Sequence, residues 1–229
     1  MQSRSEFLAL GALAAVPATV RAAAPQAAAS PHPLPPLQFD RAAFAATLDV
    51  AAPHRHLFTA VTLDGGEVLA AMRNTLNAYS DIGISLHEVQ PVGVLYHGAS
   101  VFLGFDDAMW NEYFIPLRTA LPKTNDSAKD FDSVHDDKKR GNPCLHKTDG
   151  REDSSIERLV AEANARFFVC NNATQGFAGF IATHLKKKQT RVYADLAAHL
   201  VPNASLVPAG VWAVHAVQEH KYTLLQATI

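Results

Sequence analysis

Between residues 56 and 96 the chain reads as strand, glycine turn, amphipathic helix and strand, and this order limits the fold more than any other feature. Residues 56–63 are rich in apolar and β-favouring side chains and stop at Asp64-Gly65-Gly66. Val68, Leu69, Met72, Leu76 and Tyr79 then recur at helical spacing, and Gly83 suits a C-terminal cap. Residues 92–96 form a continuous apolar run, the mark of a strand covered on both faces. Two strands joined by a helical crossover lie parallel, and the crossover is right-handed.

The alternation continues downstream. Residues 106–121 read as helix and loop with Trp110, Tyr113 and Phe114. A helix begins at Ser154-Ser155-Ile156-Glu157, with Ile156, Leu159, Val160 and Ala163 on its buried face. Strands are expected over 166–169, 205–208 and 222–226, and helical segments over 172–185, 192–200 and 211–220. The expected architecture is a single three-layer α/β domain: a mostly parallel five-stranded sheet with helices on both faces.

Residues 122–155 interrupt this pattern. They are dense in Asp, Lys and Asn and poor in large apolar residues, so they read as a long exposed insertion, a lid or a partner-binding arm. Residues 1–29 read as an export signal: Arg4 supplies positive charge, residues 7–16 an apolar core, and small residues follow. An apolar run this short makes no stable membrane span, which takes about 20 residues. Ser3-Arg4-Ser5-Glu6-Phe7-Leu8 is similar to a twin-arginine signal with serine in place of the second arginine. A periplasmic or otherwise exported location is expected. Residues 30–53, with Pro31, Pro33, Pro35 and Pro36, read as a Pro/Ala-rich linker, and the domain is expected over 54–229.

The chemistry centres on Phe167-Phe168-Val169-Cys170-Asn171-Asn172. An apolar strand ends in a thiol and two amides before a helix, the place where open α/β sheets carry their chemistry. The positive end of the helix favours thiolate over thiol, so a partly exposed, reactive Cys170 is expected. A buried structural cysteine and a disulfide to Cys144 are the competing readings of Cys170. His97 follows the second strand and can face the same crevice, while Asn171 and Asn172 can donate to an anionic sulfur or cap the helix. A net charge of −2 with neutral histidines gives no basic field for nucleic acid. With no G-x-G-x-x-G, phosphate loop or G-x-S-x-G, no cofactor is expected.

The ordered set Val94-Leu95-Tyr96-His97-Gly98, Phe168-Val169-Cys170-Asn171-Asn172-Ala173, Asp195-Leu196, Ala204-Ser205-Leu206-Val207-Pro208-Ala209-Gly210-Val211 and Val217-Gln218-Glu219 before Tyr222 resembles the DsrE/DsrF-like family of small sulfur-handling proteins. The resemblance implies a five-stranded parallel sheet and a trimer or hexamer. It also implies that Cys170 bears a persulfide and exchanges sulfur with donor and acceptor proteins. Two rival functions stand beside it. One is a non-catalytic oligomeric binding module that uses the 122–155 insertion. The other is a periplasmic copper- or zinc-binding protein that uses His54, His56, His135, Cys144 and His146, whose spacings match no structural zinc pattern.

Overall fold

The computed structural model describes residues 34–134, 140–146 and 154–226. The expected export signal and His135 lie outside the described residues. No helix among the described residues is long and apolar enough to cross a membrane.

The sheet contains β1 (His54–Ala60), β2 (Val89–Leu95), β3 (Arg166–Cys170), β4 (Ala204–Val207) and β5 (Thr223–Gln226). All pairings are parallel, in the order β4-β3-β2-β1-β5. The helices of the described residues fall into two layers. The first layer includes α2 (Glu67–Asp81), α6 (Ile156–Ala163), α7 (Asn171–Leu185) and α8 (Gln189–Ala198), whose buried residues share one core with Phe58, Leu95, Phe167 and Val169. The second consists of α1 (Arg41–Leu48) and α9 (Gly210–Glu219), over Leu57, Val92, Val94 and Phe168. Right-handed crossovers explain the split. Three steps from β1 to β4 move one way and place their helices on one face. The step to β5 runs back past β1 and carries α9 to the other. The expected five-stranded three-layer domain is therefore what the chain forms.

Three differences from the sequence reading have local causes. Residues 41–48, read as linker, form α1. The Asp40 carboxylate caps it by accepting from the amides of Ala42 and Ala43, each at 2.9 Å. Phe44 and Leu48, one helical turn apart, are buried, and the Phe44 ring lies 4.8 Å from that of Phe168. Two large side chains suffice to dock an otherwise alanine-rich helix.

The second difference is in residues 106–121. Helix α3 (Asp107–Met109), a π turn (Trp110–Phe114) and α4 (Ile115–Ala120) run together. Pro116 lacks the amide that would bond back to Glu112, and the wider turn falls just before it. The third is the insertion, whose described parts are woven into the domain. In α5 (Asp126–Asp132), Ala128 and Phe131 are buried, with Phe131 packed on Trp110 at 5.1 Å between ring centroids. Asn142, Cys144 and Leu145 are buried as well. Polar composition concealed this, because a few apolar side chains and the partnered Asn142 achieve the burial.

Asn142 shows how. Its Nδ2 donates to the carbonyls of Phe105 at 2.8 Å and Leu103 at 3.2 Å, and its Oδ1 accepts from the Cys144 amide at 2.9 Å. Asn142→Ala strands these groups in the interior. With three groups left unsatisfied at about 1–3 kcal/mol each, it is expected to destabilise the protein by about 3 kcal/mol or more. The urea unfolding midpoint checks this.

Candidate functional site

The carboxyl ends of the strands carry four loop-to-helix junctions, each fixed by backbone geometry. After β1, Asp64, Gly65 and Gly66 all take positive φ. The amides of Leu63 and Asp64 donate to the Asp130 carboxylate at 2.9 and 3.0 Å, and that of Gly65 donates to Ser133 Oγ at 2.8 Å. Helix α5 thus supplies the acceptors for the turn into α2.

After β2, His97 adopts φ 64°, ψ 158°, a backbone region that is costly for a residue with a side chain. Gly98 follows at φ 47°, and a Cβ there would lie 2.3 Å from the Val61 carbonyl oxygen. The Ser100 hydroxyl donates to the Ala60 carbonyl at 2.8 Å and ties this turn to the end of β1. After β4, a Cβ on Gly210 would lie 2.0 Å from Tyr96 Cβ, so α9 can start there only with glycine. Gly210→Ala is expected to cost about 1–3 kcal/mol through displacement of α9 or β2. A drop in thermal midpoint with unchanged helix content checks it.

The third junction delivers Cys170. Residue 170 is the last of β3, beside Val207 of β4, and also the N-cap of α7. Its Sγ accepts from the Ala173 amide at 3.5 Å, while the Thr174 hydroxyl donates to its carbonyl at 2.9 Å. The sulfur therefore sits at the positive end of a fifteen-residue helix, as the sequence suggested. Its exposure differs from expectation. Cys170 is 6% exposed and belongs to the core of the α7 layer, not to an open rim. Asn172 beside it is exposed.

Asn171 is buried, and its Oδ1 accepts from the Tyr193 hydroxyl at 2.8 Å. That contact with α8 fixes the amide and turns its NH2 end away from Tyr193. His97 is exposed. The ladder pairs Leu95 with Val169, so His97 lies beyond the end of β2 on the same side of the sheet as Cys170. No hydrogen bond among the described residues joins the His97 ring to Cys170. Tyr193 escaped the sequence reading, since a tyrosine one turn into a helix carries no local sign of its partner.

Two further expectations change. No disulfide joins Cys144 to Cys170. The metal-ligand candidates are dispersed. His56 Nε2 lies 2.8 Å from the Tyr79 hydroxyl, with the His54 ring stacked near Tyr79. Burial, and then the His54 charge, lower the pKa of His56. Cys144 is sealed in the core, and His146 stands between two carboxylates. Among the described residues, no three histidine, cysteine or acidic side chains converge on a metal position.

The Asp195 motif residue is also engaged. Its carboxylate accepts from Tyr113 Oη at 2.5 Å and pairs with Arg191 at 2.8 Å, contacts that hold its pKa below the usual carboxylate range. All five strands run the same way; the connection out of β3 leads to α7 in one layer and that out of β4 to α9 in the other, so Cys170 sits at a helix start where the connections of adjacent strands diverge. A comparison with protein-family models finds no match, and a comparison with curated proteins finds none either.

Proposed function

We propose that this protein is an exported, homo-oligomeric carrier of sulfane sulfur, with Cys170 as the sulfur-bearing residue. The observation that carries the reading is the Cys170 sulfur at the N-cap of α7, accepting the Ala173 N–H at a strand's carboxyl end. The helix start presents backbone N–H groups to that sulfur. The resemblance to DsrE/DsrF-like proteins supports the same role, a trimeric or hexameric assembly, and sulfur exchange with donor and acceptor proteins.

The transfer balances without an oxidant. The Cys170 thiolate attacks the terminal sulfur of a persulfide, R–S–SH. A new S–S bond forms on Cys170, the original S–S bond breaks, and R–S⁻ leaves with the electron pair. Delivery to an acceptor thiolate reverses these steps. A terminal sulfane sulfur is small and two-coordinate, which suits a thiol with 6% exposure better than a bulky electrophile does. Asn171, held by Tyr193, and His97 on the neighbouring strand end are the candidate positioning and proton-carrying groups.

Incubation with inorganic polysulfide followed by intact mass measurement tests the reading. Wild type is expected to gain the mass of sulfur, and Cys170→Ser is expected not to. The binding-module alternative is weakened by the insertion: its described parts, including Phe131, Asn142 and Cys144, are packed into the domain.

A further inference from the structure

We propose that His146 is a proton-operated clasp that fastens residues 140–146 to the domain and keeps the Cys144 thiol sealed. The proposal does not depend on sulfur transfer at Cys170. Its basis is the position of one imidazole between two carboxylates from different elements. His146 Nε2 lies 2.7 Å from Asp107 Oδ2 at the start of α3, and Nδ1 lies 2.9 Å from Glu157 Oε1 at the start of α6.

Carboxylate oxygens only accept hydrogen bonds, so each nitrogen must donate. A neutral imidazole has one N–H and one lone pair, whereas the imidazolium has two N–H groups. The observed arrangement is therefore that of the protonated ring. Loss of the proton sets a nitrogen lone pair against a carboxylate and breaks one of the two contacts. Among the described residues, Asp107 and Glu157 are the charged groups that act on this ring. The neighbouring Arg158 is turned to Glu162. The Asp107 hydrogen bond raises the His146 pKa above its ordinary 6.5, partial burial opposes the rise, and the Glu157 bond adds to it. A raised folded-state value means that the clasp contributes fully below about pH 6.5 and is lost as pH rises through the folded value.

What the clasp holds is defined by the backbone. The Gly141 amide donates to Asn111 Oδ1 at 3.0 Å, and the Asn142 amide donates to Asp107 Oδ1 at 2.8 Å. The carbonyls of Cys144 and Leu145 accept from the amides of Ile156 and Glu157 at 3.0 and 3.1 Å. Asp107 thus serves the ring with one oxygen and the segment with the other. Release of the ring frees Asp107 to turn, and the Asn142 amide loses its acceptor. Cys144, fully buried while the segment is seated, becomes reachable when it lifts.

Hydrogen exchange on the full chain tests this, with each rate divided by its intrinsic rate at the same pH. For the Asn142, Cys144 and Leu145 amides, wild type is expected to lose protection between pH 6 and pH 9, whereas His146→Gln and Glu157→Gln keep one constant level. Equal pH dependence in wild type and His146→Gln, or none in wild type, overturns the proposal. The His146 ring carbons in NMR give a second readout. A titration midpoint above 6.5 that falls in Glu157→Gln supports the clasp, and a midpoint at or below 6.5 in wild type overturns it.

Discussion

Trp110→Ala is expected to remove about 3–5 kcal/mol of stability, the usual cost of truncating a fully buried tryptophan. For a domain stable by about 5–15 kcal/mol, that is about a fifth of the total or more. Trp110 is 0% exposed and sits where three otherwise independent segments meet. Its Nε1–H donates to the Phe102 carbonyl at 2.9 Å and so ties the π turn to the segment that follows β2. Its ring meets Phe114 edge-on at 5.7 Å and Phe131 of α5 at 5.1 Å. Trp110→Phe separates the two contributions. It keeps most of the apolar volume and removes one hydrogen bond from the Phe102 carbonyl, which still accepts from the Phe105 amide at 3.2 Å, so about 0.5–1.5 kcal/mol is expected. Denaturant midpoints of both variants check the order. Equal costs would mean that the hydrogen bond, not packing, dominates.

The second large effect is chemical. Cys170→Ser is expected to abolish sulfur uptake while leaving the fold intact, because serine is among the preferred N-cap residues. A serine Oγ can accept from the Ala173 amide as Sγ does. Cys170→Ala also loses the cap and is expected to cost about 1 kcal/mol more than the serine variant. The pair therefore separates the sulfur's role in chemistry from its role in holding the start of α7.

The parts of the fold that were legible in the sequence are those built from local pattern. The run from Arg166 to Cys170 followed by a helix announced β3 and α7, because an uninterrupted apolar strand and a 3.6-residue period are visible in one dimension. Helix α1 was hidden, since Phe44 and Leu48 provide too little periodicity among alanines and depend on Phe168 and Trp212 far along the chain. The insertion was misread for a related reason. Asn142 looks like a solvated side chain until the carbonyls of Leu103 and Phe105 are placed around it. At the site, the junction that holds Cys170 was readable. Its burial, the Tyr193 contact that fixes Asn171, and the φ of His97 were not, since each depends on residues from other strands and helices.

Whether Cys170 accepts the sulfur is read by peptide-level mass mapping after polysulfide treatment. The full-length wild-type protein carries both thiols, so Cys144 serves as an internal comparison. With residues 140–146 seated, the result expected is added sulfur on the peptide that contains Cys170, none on the peptide that contains Cys144, and no uptake by Cys170→Ser. Sulfur on Cys144 alone, or uptake by Cys170→Ser equal to that of wild type, would contradict Cys170 as the sulfur acceptor.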